Sequence, residues 1–313
     1  MTDWKILLTD GLEENGKAIL RKSAEVVDQP GISAEELLTV VGEYDALIVR
    51  GRTKVIPAVF EAGKKLKVVG RAGVGVDNIY LAAARAKGVT VVNSPMATTV
   101  AVAELTLGMM LGVVRELPRA DASMKAGKWL KKEFEGGELF GKTLGVIGYG
   151  RIGHAVAVRA KAFKMKILAY DPLIPADVIT KRKGIPVSLD ELWAQSDMIT
   201  MHLPLTADSK GLLNAAAFAK MKPGVYVVCA ARGGVIDEGA LLEALNSGKV
   251  AGAALDVFTA EPPGLTELVA HPRVLCSPHI GAQTVEAQGR AANDIAGEVL
   301  AALGGKPLRW KVA

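Results

Sequence analysis

Residues 144–171 read LGVIGYGRIGHAVAVRAKAFKMKILAYD, and the reading of this stretch decides the fold. The apolar run Leu144 to Ile147 predicts a buried parallel strand that feeds into Gly148-Tyr149-Gly150-Arg151-Ile152-Gly153. An alanine-rich helical pattern follows, then a second apolar run, Lys166 to Tyr170, closed by Asp171. A lone Gly-x-Gly-x-x-Gly is a weak signal, because glycine-rich turns are common. Strand, turn, helix, second strand and terminal acid in this order are specific to a dinucleotide site. Gly148 permits the tight turn, Gly150 lets backbone approach a pyrophosphate, and Gly153 allows helix and strand to pack closely. The helix N-terminus turns free N–H groups toward the phosphates. A carboxylate at Asp171 suits ribose hydroxyls and repels a 2′-phosphate. Pro172-Leu173-Ile174 follows it in place of an arginine, so NAD is expected rather than NADP.

Outside this unit, apolar runs alternate with helical patterns from the start of the chain. Ile6 to Leu8, Ala46 to Val49, Leu66 to Val69 and Val89 to Val92 read as strands. Glu13 to Lys22, Ala34 to Val41, Pro57 to Ala62 and Asn78 to Lys87 read as the helices between them. Such alternation implies a parallel sheet covered by helices on both faces. Thr98 to Leu117 reads as a long helix stopped by Pro118, and Arg119 to Lys128 as a second one. After the glycine-rich unit, strands are expected at Met198 to Met201, Val225 to Val228, Ala251 to Leu255 and Val274 to Cys276. The helices there fall at Leu189 to Gln195, Asn214 to Met221, Glu238 to Ser247 and, last, Thr284 to Leu303.

Composition narrows the function. The 313 residues carry a net charge of only +5, spread along the chain without an aromatic-interleaved basic run, which argues against a nucleic-acid partner. Lys181-Arg182-Lys183 reads as a solvated turn before a strand. No apolar run reaches membrane-spanning length and the N-terminus carries no signal-peptide pattern, so no membrane partner and a cytoplasmic location are expected. Cys229 and Cys276 each lie in an apolar run and read as core thiols of a reducing compartment. No histidine or cysteine cluster has metal-ligand spacing, so no metal site is expected.

In open parallel sheets, ligands bind beyond the carboxyl ends of the strands. Three strand exits carry reactive side chains. Val228-Cys229-Ala230-Ala231 leads to Arg232, Leu255-Asp256-Val257-Phe258 leads to Glu261, and Cys276-Ser277-Pro278 leads to His279. An arginine grips a carboxylate with two parallel N–H bonds and polarises the neighbouring carbonyl. A histidine takes or returns a hydroxyl proton, and a carboxylate beside it fixes its tautomer. The trio suits hydride transfer to or from a 2-hydroxy acid. His202 reads as structural, His154 as solvent-facing and His271 as part of a turn.

These stretches together resemble the NAD-dependent D-isomer-specific 2-hydroxyacid dehydrogenases, nearly end to end. Gly70-Arg71-Ala72-Gly73-Val74-Gly75-Val76-Asp77-Asn78 and Ala122-Ser123-Met124-Lys125-Ala126-Gly127-Lys128-Trp129 add to the likeness. The resemblance implies two Rossmann-like α/β domains with parallel sheets and an active site in the cleft between them. The substrate domain would be residues 1–97 completed by 283–313, and the NAD-binding domain residues 98–282. Arg232 would bind the substrate carboxylate, with His279 as acid/base and Glu261 as its support. Arg151 and Ile152 would meet the pyrophosphate, Asp171 the adenosine ribose and Asp256 the nicotinamide amide, with Val74, Leu203, Ala230 and Gly281 completing the cofactor pocket. Val74 and Gly75 would offer backbone N–H groups to the substrate.

Arg50 and Arg52 resemble a pair that meets a substrate phosphate in some members, which implies a phosphorylated hydroxy acid, 3-phospho-D-glycerate first. Glyoxylate or hydroxypyruvate is the alternative, and a non-enzymatic NAD(H)-sensing regulator on the same fold is a further one. Lys131 falls where a basic residue would reach a neighbouring subunit's site in a homodimer or homotetramer, but lysine lacks the bidentate geometry of arginine. With the chain ending at Ala313, feedback inhibition through a C-terminal serine-sensing domain is not expected.

Overall fold

The computed structural model describes residues 4–313, which divide into two compact units, one running through Thr99 and taking up Ala282–Ala313, the other Val100–Gly281. The first is built on five parallel strands: β1 (Trp4–Leu8), β2 (Ala24–Asp28), β3 (Ala46–Val49), β4 (Val68–Arg71) and β5 (Thr90–Asn93), in the order β2-β1-β3-β4-β5. Strand alternation sorts the side chains cleanly. Leu7, Leu47, Val49, Val69 and Val91 pack toward helices Ala34–Val40, Pro57–Ala62 and Leu81–Ala86. Ile6, Leu8, Ala46, Ile48, Val68 and Val92 pack toward helices Glu14–Leu20 and Val285–Leu303. Both faces are covered, which is why the central strand β3 is apolar and buried at every position rather than at every second one. The last helix lies so close over β4 that a Cβ on Gly70 would sit 2.6 Å from Val299.

The second unit has seven parallel strands: β6 (Thr143–Ile147), β7 (Lys166–Tyr170), β8 (Ile185–Pro186), β9 (Met198–Met201), β10 (Val225–Cys229), β11 (Val250–Leu255) and β12 (Val274–Cys276). Their order is β12-β11-β10-β9-β6-β7-β8. One face packs on helices Thr99–Val114 and Arg151–Ala162, the other on Leu189–Gln195, Ala215–Lys220 and Glu238–Asn246. In both sheets the winding direction reverses once, at β1/β3 and at β6/β9. Crevices for ligands open at such reversals.

Several sequence expectations are corrected. Pro118 does not stop the long helix, which ends at Val114. Glu116 turns left-handed at φ 50°, and Pro118 sits in the first turn of a new helix, Leu117–Lys125, where a missing N–H costs nothing. Arg182 is half-buried rather than solvated and follows an unforeseen short helix, Ala176–Lys181. Cys276 is not a core thiol; it ends the edge strand β12 and is exposed. His154 is half-buried, its ring edge-on to Tyr149. Edge strand β2 was not foreseen either, and the chain end adds an antiparallel bridge, Val92 to Lys311, to an otherwise parallel sheet. Among the described residues no helix is long and apolar enough to cross a membrane.

Candidate active site

At the β6/β9 reversal the glycine-rich loop is shaped by close approach. Gly148 has φ 86°, and a Cβ there would lie 2.7 Å from the His202 carbonyl oxygen and 2.9 Å from Leu203. At Gly153 a Cβ would lie 2.0 Å from the Gly148 oxygen, so no other residue lets the helix start this near the strand end. Gly150, by contrast, faces open space. Helix Arg151–Ala162 begins directly after it, and the first-turn N–H groups of a helix have no acceptor within the helix. Asp171, following β7, accepts from the Tyr149 N–H on Oδ2 at 2.7 Å and from the Leu173 and Ile174 N–H groups on Oδ1 at 2.9 and 3.1 Å. A carboxylate has about four acceptor positions, so capacity remains for a ribose hydroxyl. An open glycine beside a bare helix start and a preoriented carboxylate fit a dinucleotide.

Strands β10, β11 and β12 end level, with Cys229 opposite Leu255 and Leu255 opposite Cys276. Their exits therefore emerge at one edge. Gly233 is forced by this proximity, because a Cβ there would lie 1.7 Å from the Phe258 carbonyl oxygen. Asp256 is 1% exposed. Its Oδ1 accepts from Ser277 Oγ at 2.6 Å and the Ile280 N–H at 2.8 Å, and its Oδ2 from the Gly281 N–H at 2.8 Å. The buried carboxylate thus ties down the turn that carries His279, whose own N–H donates to the Asp256 carbonyl at 2.9 Å and whose φ is 54°. Three of its acceptor positions are occupied by its own chain, leaving one for the nicotinamide amide expected there.

The imidazole Nδ1 of His279 lies 2.7 Å from Glu261 Oε2, and Glu261 Oε1 accepts from the Phe258 N–H at 3.1 Å. The glutamate is therefore held by backbone on one oxygen and orients the ring with the other, which leaves Nε2 to face a reactant. Arg232, half-buried on the β10 exit, donates to the Ala231 carbonyl at 2.7 Å. Ala230 and Gly281 are buried beside these turns, and Leu203 is half-buried. His202 has Nε2 3.1 Å from Thr200 Oγ1, and burial lowers its pKa to about 3, so the ring is neutral. Lys131 is exposed in a short 3-10 turn. Among the described residues no group of three or more His, Cys, Asp or Glu is arranged to hold a metal ion.

The first unit has its own polar centre, at the β1/β3 reversal. Asp10 Oδ2 accepts from the Arg50 N–H at 2.7 Å and the Thr53 N–H at 3.1 Å, while Oδ1 accepts from Thr53 Oγ1 at 2.5 Å. Asn78 braces the same loop by donating to the Arg50 and Thr53 carbonyls at 3.0 and 2.7 Å. Arg50 Nη1 pairs with Glu13 Oε1 at 3.2 Å, and Arg52 Nη2 with Asp10 Oδ1 at 3.2 Å. Val74 and Gly75 are half-buried after β4, the Val74 carbonyl accepting from Asn93 Nδ2 at 2.6 Å. Asp10, Glu13 and Asn78 were not singled out from sequence, although Asp10 obeys the strand-exit rule that found the trio.

The sequence profile described as "D-isomer specific 2-hydroxyacid dehydrogenase, NAD binding domain" matches residues 107–281. The chain belongs to this family. It is 49% identical over 305 residues to the D-3-phosphoglycerate dehydrogenase of Rattus norvegicus, an alignment covering 97% of the chain and 57% of the relative. With the D-3-phosphoglycerate dehydrogenase of Methanocaldococcus jannaschii it shares 48% over 304 residues, 96% of the chain and 58% of the relative. The chain thus spans little more than half the length of these relatives. A glyoxylate reductase structure from Paecilomyes thermophila superposes with TM-score 0.91 at 32% identity, covering 100% of this chain and 99% of that one. The apo-structure of Escherichia coli D-lactate dehydrogenase gives 0.86 at 28%, covering 99% and 100%.

Proposed function

We propose that the chain oxidises a D-2-hydroxy acid with NAD, 3-phospho-D-glycerate being the substrate and 3-phosphooxypyruvate the product, as part of serine biosynthesis. The observation that carries this reading is the Glu261–His279 hydrogen bond at the edge of the dinucleotide sheet, one strand exit from Arg232. Arg232 holds the substrate carboxylate in a bidentate grip and polarises C2. His279, with Nδ1 held by Glu261, takes the C2 hydroxyl proton on Nε2 during oxidation and returns it during reduction. NAD, when bound, would supply the acceptor for the hydride leaving C2. The chain's contribution to that step is placement: Gly150, Arg151, Ile152 and Gly153 at the pyrophosphate, Asp171 at the ribose, and Asp256, Val74, Leu203, Ala230 and Gly281 around the nicotinamide end. Asp171 would favour NAD over NADP, since a carboxylate fixed by three N–H groups would repel a 2′-phosphate.

Arg50 and Arg52 meet the substrate phosphate, with the backbone of Val74 and Gly75 on the carboxylate side. Reduction of glyoxylate or hydroxypyruvate is the second reading, favoured by one observation: both guanidinium groups already have carboxylate partners within the unit. The test is NADH formation from 3-phospho-D-glycerate beside D-glycerate and D-lactate, repeated with NADP and with Arg50→Ala. A preference for the phosphorylated acid that Arg50→Ala removes supports the reading. Turnover of plain acids alone overturns the phosphate assignment, and tight NADH binding without any turnover favours a regulator instead.

The functional form is a homodimer or homotetramer in the cytoplasm. Helix Leu117–Lys125 buries no residue of its own, and Leu117, Met124 and Trp129 are 54%, 54% and 78% exposed, a surface suited to a second copy. Lys131, just beyond it, reaches the neighbouring site. Sedimentation at graded concentrations checks the assembly, and a monomer at every concentration would remove both the surface and the Lys131 role.

A further inference from the structure

The two arginines of the first unit are held in different ways. Arg52 is anchored: Nη2 donates to the Thr9 carbonyl at 2.6 Å and Nη1 to the Ile32 carbonyl at 3.1 Å, in addition to the Asp10 carboxylate. Asp10 is itself fixed by the backbone of Arg50 and Thr53 and has a side chain only 4% exposed. The guanidinium of Arg50 instead has one carboxylate contact, Glu13 Oε1 at 3.2 Å, in a pair whose side chains are 22% and 33% exposed. Among the described residues Glu13 has no second side-chain hydrogen bond or ion pair. It stands at the N-cap of helix Glu14–Leu20 without a capping hydrogen bond from its side chain, so the carboxylate is free to swing away.

We propose that Glu13 is a displaceable counter-anion for Arg50 that limits the chain's preference for phosphorylated over unphosphorylated acids, an inference that rests on the phosphate role assigned to Arg50 above. A phosphate monoester near neutrality carries almost two charges and three acceptor oxygens. It replaces a single carboxylate on a guanidinium with a net gain. A hydroxymethyl or methyl group offers no charge and leaves the Arg50–Glu13 pair closed. Glu13 therefore weakens phosphate binding somewhat, and in its absence Arg50 stands as an uncompensated cation that any anion can reach. Arg52, locked by carbonyls and Asp10, supplies a fixed positive wall that needs no such displacement.

The test is the ratio of KM values for D-glycerate and 3-phospho-D-glycerate in Glu13→Gln, with Glu14→Gln as control. Glu14 removes the same charge one residue away but pairs with Arg21. Glu13→Gln is expected to move the ratio about threefold to fivefold further toward the phosphorylated acid, the size of a half-exposed ion pair. Thermal unfolding read against added inorganic phosphate supplies a second readout independent of turnover: half-saturation falls by a similar factor in Glu13→Gln and rises in Arg50→Ala. An unchanged or reversed ratio in Glu13→Gln overturns the proposal, as does an equal shift in Glu14→Gln. If the wild type shows no preference for the phosphorylated acid, the phosphate reading fails together with this one; an inert Glu13→Gln on a selective wild type sinks this one alone.

Discussion

Both units are doubly wound parallel sheets, one of five strands and one of seven, and they put their reversals to different use. Each sheet reverses its winding once, and at each reversal a loop leaves one strand and enters a helix. After β6 that loop is Gly148-Tyr149-Gly150, and helix Arg151–Ala162 starts with no acid in its first turn. After β1 it is Thr9-Asp10-Gly11, and helix Glu14–Leu20 is preceded by Glu13 and opens on Glu14. A helix start is an electropositive site. In the second unit it is left bare for a ligand's phosphates; in the first the chain's own carboxylates occupy that field. The first residue after β3 is Arg50, a half-buried cation, whereas the residue directly after β9 is His202, half-buried and neutral. Topology fixes where ligands can bind, and the first few residues after each strand decide which chemistry is received.

The sharpest break of this comparison is to remove reactivity from the second unit while leaving the first intact. His279→Gln is expected to lower kcat by about 10²–10⁴-fold, the usual worth of general acid–base catalysis, with NADH affinity little changed. Arg50→Ala should instead act chiefly on KM for the phosphorylated acid. Parallel kinetics on the two variants check this division, and a His279→Gln protein that keeps wild-type kcat would remove the histidine from the chemistry. Next in size is Gly153→Ala, whose new Cβ would sit 2.0 Å from the Gly148 oxygen. Overpacking of this kind costs about 1–3 kcal/mol, and the strain falls on the glycine-rich turn proposed to meet the pyrophosphate, so NADH affinity measured by fluorescence should drop about tenfold or more. The same substitution at Gly11, where φ is 75° but a Cβ meets nothing within 4 Å, should leave NADH affinity untouched.

A smaller effect tests the first unit's polar centre. Asp10→Asn keeps the shape but turns an amide toward donors that now share the carboxylate, so one of the Arg50, Thr53 or Arg52 contacts is lost. The expected cost is about 1–3 kcal/mol, read as a fall in Tm. A variant as stable as wild type would mean that Asn78 alone braces the loop.

Much of this was legible in the residues because burial writes itself into composition. Strand β3, covered on both faces, is apolar throughout, and β7 is apolar after Lys166; both were read with their bounds intact. Edge strand β2 was missed because only one side of it meets neighbours, and its Ala-Glu-Val-Val-Asp sequence looks like the end of a helix or a loop. The strand-exit rule found Arg232, Glu261 and His279, and the structure brings Glu261 and His279 into contact. It could not reveal how Asp256 is committed, since the three donors come from a turn some 25 residues later and depend on β11 and β12 ending level. Nor could it show that Arg50 and Arg52 are already paired, because Glu13 and Asp10 sit on a strand exit about 40 residues away.

The smallest expected effect concerns the contrast between a charged exit after β3 and a neutral one after β9. Burial lowers the His202 pKa from 6.5 to about 3. The unfolded chain therefore binds a proton there that the folded chain refuses, and only in the window between those two values. Above pH 6.5 both states are neutral and the group makes no pH-dependent contribution. As pH falls from 6.5 toward 3, the unfolded state gains the proton first, so stability declines with a slope of at most about 1.4 kcal/mol per pH unit. His202→Gln, which keeps a polar group beside Thr200, should flatten that part of the profile by up to one proton while leaving the profile above pH 6.5 parallel to wild type. Urea unfolding across this range compares the two slopes. Equal slopes would mean that the imidazole is hydrated enough to titrate in the folded protein, and the β9 exit would then carry charge in acid much as the β3 exit does at every pH.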